Sequence, residues 1–396
     1  MTPLVLTHCA AVNALGRGME ATREALAAER SGLRPNDFPP VELDTFIGRV
    51  EGLETLPVPE PLTRYDCRNN RLAELCLQQD DFESAIADLR ERHAPERIGV
   101  FLGTSTSGIL ETELAYRHLE AYDGRLPPDF RYRECHNFYS VADYVRRRLG
   151  LRGPSEVIST ACSSSAKVFA TAQRFIQAGF CDAAVVGGVD TLCMTTLYGF
   201  NSLELVSPEP CRPADSHRRG LSPGEAAGFA IVEPEAATHT GEVVLLGYGE
   251  SSDAHHMSTP HPEGRGAAQA MRAALERAGV AAGDVDYVNL HGTATPINDR
   301  TEDQAVTSVL GTTVPCSSTK GWTGHTLGAA GITEALITAI CLVDGLIPAS
   351  LNTREVDPAF RSRIVTESGF GRLRLAMSNS FGFGGSNCCL VLGRRH

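Results

Sequence analysis

The chain has 396 residues, 42% hydrophobic and 21% charged, values ordinary for a folded globular protein with room for two related units. A net charge of -12 excludes a general nucleic-acid binder, which presents a basic surface, but leaves room for a local basic patch facing an acidic partner. Arginines do gather at Arg64, Arg68 and Arg71, at Arg131 and Arg133, at Arg146 to Arg148, and at Arg218 with Arg219. Any one such cluster is more often a solvated face than a docking site.

Residues 1–16 (MTPLVLTHCAAVNALG) lack the basic start and long apolar stretch of a signal peptide and read as a strand and turn. No apolar run reaches about 18 residues, so no membrane span is expected and the chain reads as cytoplasmic. The 12 cysteines are then expected to be reduced, and the lack of any C-x-x-C pair speaks against structural zinc. RIGVFLG at 97–103, EVIST at 156–160 and DAAVVGG at 182–188 are short apolar runs that read as buried strands. The segment after Cys162, KVFATAQRFIQAGF, has helical spacing. Strand, helix and strand in that order point to a parallel sheet with covering helices. The second part repeats the rhythm with DYVNL at 286–290, VPCSS at 314–318 and a helix from Gly331. CSSSAKVFATAQRFIQAGF and GAAGITEALITAICLVDGL both open on small residues and continue as apolar helices. The chain therefore reads as an α/β protein of two duplicated halves, 1–235 and 236–396, joined near 233–242. Cys388 and Cys389 fall in a last apolar strand and read as buried thiols.

Cys162 lies between a strand and a helix start. There the helix dipole and free backbone N–H groups favour a thiolate and can hold an oxyanion. A small buried core cysteine is the competing reading. His291, in HGTATP, follows a strand, where sites in α/β sheets gather. His325 stands in the glycine-rich KGWTGHTLGAAG. Two neutral imidazoles aimed at one carbonyl oxygen would stabilise an enolate. Lys320 and Glu334 flank that turn as a natural ion pair. Phe383, between glycines in NSFGFGGSN, reads as a gate or a packing aromatic. His255, His256 and His261 match no strong ligand spacing and read as a polar loop near a channel mouth rather than a metal site.

TACSSSA, HGTATPIND, KGWTGHTLGAAG with Glu334, NSFGFGGSN and CRPADSHRRGLSPGEAAG together closely resemble the β-ketoacyl-carrier-protein synthases I and II, in the family's order and across most of the chain. The resemblance implies a thiolase fold and a decarboxylative Claisen condensation. Cys162 would carry the acyl group. His291 and His325 would promote decarboxylation of a malonyl unit, supported by Lys320 and Glu334. The N–H groups of Cys162 and Phe383 would form an oxyanion hole, with Phe383 also gating the acyl pocket. Thr293 and Thr295 would bind a phosphopantetheine arm. Arg218 would help receive the arm or its acyl carrier protein. No cofactor or metal is implied, because the arm belongs to the substrate. The partners implied are the carrier and either a second copy or a chain-length-factor-like subunit.

The intact cysteine and two histidines separate this chain from chain-length-factor partners, which lack the cysteine. They separate it also from the synthase III group, which has an asparagine for one histidine, and from thiolases, which use a second cysteine. Thr106 falls where synthase II enzymes carry a bulky aliphatic at the pocket end, so a deeper pocket is expected. With the stretch SSDAHHMSTPHPEG and Trp322, this resembles synthases of aryl polyene pathways, a type II polyketide-like system. A fatty-acid elongation synthase, a non-catalytic partner subunit and a metal hydrolase built on His255 to His261 are the alternatives.

Overall fold

A computed structural model describes residues 1–236 and 241–395. Residues 237–240, inside the expected junction, lie outside the described residues. Ten strands build the main sheet: β1 (Leu4–Asn13), β2 (Ile98–Gly103), β3 (Ser155–Ile158), β4 (Ala183–Asp190), β5 (Ala226–Pro234), β6 (Val243–Ser252), β7 (Tyr287–Asn289), β8 (Pro315–Ser317), β9 (Leu375–Gly382) and β10 (Ser386–Arg394). Two further two-residue strands complete it. The first block runs in the order β1-β5-β4-β2-β3 and the second β6-β10-β9-β7-β8. Each block has two antiparallel pairings followed by two parallel ones. The same order and direction in both halves is the duplication that the paired helix motifs suggested. The blocks meet where β1 and β6 pair antiparallel over Leu4 to Leu6.

Both faces of the inner strands are buried, as expected where helices cover both sides of a sheet. Alternation shows it in β2: Phe101 faces the central core, while Val100 and Leu102 face an outer one. Helices α1 (Arg68–Leu77) and α2 (Ser140–Arg148) cover the outer face of the first block, and α5 (Arg265–Ala278) with α6 (Pro296–Leu310) that of the second. Between the blocks lie α3 (Ser164–Gln177) and α7 (Ala330–Asp344); α4 (Met194–Ser202) lies outside this layer. The central helices touch because their first turns carry small residues. A Cβ on Gly331 would lie 2.4 Å from the Ala166 nitrogen.

The expectation that no apolar run reaches about 18 residues does not hold. Leu327–Asp344 is 18 residues long and apolar enough by composition to cross a membrane. It is 89% buried inside the protein, so its apolarity is accounted for by the central layer. The cysteines are unpaired, with Cys388 and Cys389 fully buried in β10.

Candidate active site

Cys162 stands on the turn from β3 into α3 and is 7% exposed. Ala161 before it has φ 52°, a left-handed conformation costing roughly 1–3 kcal/mol unless held in place. Ser164 holds it: its hydroxyl donates to the Ala161 carbonyl and accepts the Thr160 N–H at 2.9 Å. Ser165 accepts the Ile332 N–H of α7 at 2.9 Å, so the serines after the nucleophile join the two central helices. Burial pushes the Cys162 thiol up to about 12, while the Lys320 charge and the Phe383 N–H pull it down. Burial thus opposes the thiolate that the helix N-terminus favours. A helix N-terminus is worth about 0.3–1 kcal/mol at an exposed site, too little to offset full burial.

His325 places Nε2 3.0 Å from the Cys162 sulfur. The Leu327 N–H points at its Nδ1 from 3.3 Å, so Nδ1 accepts and the ring proton sits on Nε2. His325 therefore donates toward the sulfur instead of taking its proton. Its backbone is pinned by the fifth motif: His325 N–H donates to the Ser222 carbonyl at 2.7 Å, and Gly224 N–H returns a bond to the His325 carbonyl at 2.9 Å.

His291, at the end of β7, stands edge-on to His325 with ring centroids 5.4 Å apart and planes at 84°. The Lys320 ammonium lies 3.3 Å from its Nδ1 and also donates to its carbonyl, which again leaves the proton on Nε2. Burial, with Lys320 adding to it, holds both imidazoles well below the usual range, so they are neutral donors at physiological pH. Lys320 forms a buried ion pair with Glu334 on α7, whose carboxyl burial pushes up to about 7. Cys162, His291 and His325 bring their ligand atoms within 4.8 Å of one another, a spacing a thiophilic cation could bridge. The tautomers oppose this, since a protonated Nε2 offers no lone pair.

These three groups close the floor of a pocket of about 370 Å³, lined by apolar side chains that include Phe200, Leu203, Leu221 and Ile297. Thr293 and Thr295 also line it, their hydroxyls 2.9 Å apart. Phe383 stands at the mouth, 36% exposed and edge-on to Phe200 at 5.9 Å. Gly384 and Gly385 beside it have φ 80° and 74°, a left-handed turn that other residues enter only under strain. Ser258, Thr259 and Pro260 of the histidine-rich loop line the pocket too, as expected of a loop near the mouth. His255 and His261 lie ring to ring at 5.2 Å.

Residues 74–237 match the family model for the N-terminal domain of β-ketoacyl synthases and residues 243–354 that for their C-terminal domain. A 3-oxoacyl-[acyl-carrier-protein] synthase 2 of Vibrio cholerae is 33% identical over 99% of this chain and 99% of its own length. The chain belongs to the β-ketoacyl synthase family. The ketosynthase ApeO of Xenorhabdus doucetiae, solved in complex with its chain length factor ApeC, is 36% identical, with TM-score 0.91 over 100% of this chain and 98% of its own. The ishigamide ketosynthase/chain length factor superposes with TM-score 0.92 over the whole of both chains at 26% identity.

Two residues of this synthase sit otherwise than their motifs suggested. Arg218 lies inside the protein rather than on a basic surface. Its side chain is 3% exposed, 2.9 Å from Asp357 and 3.7 Å from Asp299, and stacked 4.8 Å over Phe360. It donates to the carbonyl of Pro296 at the pocket rim, so it shapes the entrance from within. Arg218→Ala should leave the buried Asp299 and the half-buried Asp357 short of their cation and destabilise the protein by at most about 3–5 kcal/mol. Thermal unfolding would show this as a lower melting temperature. KM should then rise alike for carrier-linked and small thioesters; a rise for the carrier alone would restore the docking role. Thr106 does not line the pocket of this chain either. It is buried, and its hydroxyl donates to Asp190 at 2.7 Å.

Glu302 on α6 was not singled out from sequence. Its Oε1 accepts the His291 N–H at 2.8 Å and the Asn379 amide at 3.1 Å, and its Oε2 accepts the Gly292 N–H at 2.7 Å. It holds the turn that presents His291. The only signal was its place eleven residues after His291 in an otherwise ordinary helix. Glu302→Gln turns an amide N–H toward one of those donors, at a cost of about 1–3 kcal/mol. Burial pushes the Glu302 carboxyl from 4.5 up to about 7, so the fold retains a proton that the unfolded chain has released. The stability from that proton is complete below about pH 4.5 and is lost as pH rises through about 7. The melting-temperature advantage of wild type over Glu302→Gln should therefore shrink across that window. An advantage that grows would mean that the three donors outweigh burial.

Proposed function

We propose that this chain joins an acyl group held on Cys162 to a malonyl unit on an acyl carrier protein, releasing carbon dioxide and leaving a 3-oxoacyl thioester on the carrier. The observation that carries the proposal is the Cys162 sulfur 3.0 Å from a proton-bearing His325 Nε2, with His291 edge-on beside it at the floor of an apolar pocket. In the first half-reaction the sulfur attacks the acyl thioester, and the Cys162 and Phe383 N–H groups receive the oxyanion. The phosphopantetheine thiol leaves with the thiol proton. In the second, the malonyl thioester oxygen lies between the two Nε2–H groups. Its carboxylate departs as carbon dioxide, and the electron pair forms an enolate held by both histidines. The enolate carbon attacks the Cys162 thioester and the sulfur is expelled as a thiolate, which takes up one proton from water to restore the thiol. No resident cofactor is needed, because the arm that fills the pocket beside Thr293 and Thr295 arrives with the substrate.

We assign the chain to a type II polyketide-like, aryl polyene elongation system, in line with its sequence resemblance and with relatives solved alongside chain length factors. The partner is a second subunit joined at β3. That strand ends the first block with half-exposed residues, and the exposed aromatics Tyr132, Phe138 and Tyr139 lie in the segment before it. Residues 1–235 and 236–396 serve as the two halves of the site, and the assembly works in the cytoplasm. The test is a reconstituted reaction of acyl-carrier and malonyl-carrier proteins, with and without a candidate partner subunit. Formation of 3-oxoacyl-carrier is expected, extending to conjugated chains. Turnover of saturated chains alone would favour the fatty-acid alternative.

A further inference from the structure

A buried carboxylate next to the His325 turn has no place in the chemistry above. Asp190 ends β4 and is fully buried. Its Oδ1 accepts from the Thr104 and Thr106 hydroxyls at 2.6 and 2.7 Å and from the Thr106 N–H at 2.9 Å. Its Oδ2 accepts from the Ser105 hydroxyl at 2.5 Å and the Gly328 N–H at 2.6 Å, and the Ser105 N–H lies 2.9 Å from both oxygens. These partners are all hydroxyls and backbone amides. A low-dielectric site strengthens each bond, so the carboxylate fixes the loop after β2 and the turn after His325 to one another.

The contact with Gly328 reaches the active site. Leu327, one residue earlier, supplies the N–H that faces His325 Nδ1. Leu327 has φ 56°, a left-handed conformation that a bulky side chain adopts only when its surroundings impose it. A Cβ on Gly328 would lie 2.6 Å from Asp190 Oδ2 and 2.7 Å from the Ser105 nitrogen, so the turn is seated directly on the carboxylate.

We propose that Asp190 is a positioning residue for His325: by anchoring the Leu327–Gly328 peptide it fixes the imidazole with its proton on Nε2, facing Cys162. Without the anchor, Leu327 relaxes toward negative φ and its N–H turns away from Nδ1. The ring proton then divides between the two nitrogens, and a ring protonated on Nδ1 presents a lone pair where the reaction needs a donor. The catalytic consequence rests on the ketosynthase reading; the tautomer does not.

Asp190→Asn in the full-length protein tests this, because the amide keeps the shape but turns an N–H2 toward a ring of donors. With 15N-labelled histidine, the His325 ring signals should move from a single Nε2–H tautomer to a mixture. The kcat for condensation should fall up to about 100-fold, the low end for one lost oxyanion donor, with KM for the carrier substrate nearly unchanged. If Asp190→Asn does not fold, Ser105→Ala carries the same measurement, since its hydroxyl bridges Asp190 and the Gly328 N–H, 3.1 Å away. Unchanged His325 signals in the folded variant, or a rise in KM with kcat intact, would overturn the proposal. A shifted tautomer in a protein that proves unable to condense would uphold the anchor and count against the functional reading alone.

Discussion

Cys162→Ala is expected to abolish acyl loading and condensation while malonyl decarboxylation continues. Removing a covalent nucleophile can cost about 10⁶ in kcat, and here no neighbouring group can replace it. His325 already carries its proton on Nε2, and the hydroxyls next in sequence, on Ser163 and Ser164, are committed to the Thr160 and Ala161 carbonyls. Decarboxylation requires only that an enolate oxygen meet the two Nε2–H groups, and those remain. Release of labelled carbon dioxide from malonyl-carrier, measured beside 3-oxoacyl product, separates the two activities. Condensation near the wild-type rate would remove Cys162 from the mechanism. Loss of decarboxylation as well would mean that the sulfur helps to hold the malonyl unit.

The second large effect belongs to the histidines. His291→Ala and His325→Ala should each lower decarboxylation by about 10²–10³, the usual cost of one oxyanion donor. Both rings serve one oxygen, so the double variant should lose less than the product of the single losses. The two should differ in loading. His325 touches the sulfur and His291 does not, so single-turnover acyl transfer should slow more in His325→Ala. Equal loading in both variants would contradict that division. A variant with unaltered decarboxylation would lose its assigned role.

Several strands and the two central helices were legible because they depend on local pattern, whereas the strands Ala226–Pro234, Val243–Ser252 and Leu375–Gly382 were not, the last of them falling partly in a run read as a glycine-rich loop. A buried strand needs a short apolar run, and 97–103 and 182–188 supplied it; the structure moves those ends by a residue or two. Cys162, His291, Lys320, His325 and Glu334 stand in motifs whose residue types suit the reaction. What could not be read depends on contacts distant in sequence. Glu302 is an unremarkable helical acid until α6 returns its carboxylate to the end of β7. Asp190 is the last residue of a strand until the loop after β2 closes over it. Arg218 follows His217 and precedes Arg219, and so looks like part of a basic surface. Its burial depends on Asp299 and Asp357, at separations of 81 and 139 residues. Leu327–Asp344 is apolar enough by composition for a membrane segment, and its burial between the two blocks accounts for that.

The most direct test of the central claim is peptide mapping by mass spectrometry after the protein is incubated with an acyl-carrier thioester and no malonyl unit. The first half-reaction then has no outlet. A stoichiometric acyl adduct is expected on the peptide containing Cys162, discharged as 3-oxoacyl-carrier when malonyl-carrier is added. An adduct confined to another of the twelve cysteines, or product formed with Cys162 never acylated, would contradict it.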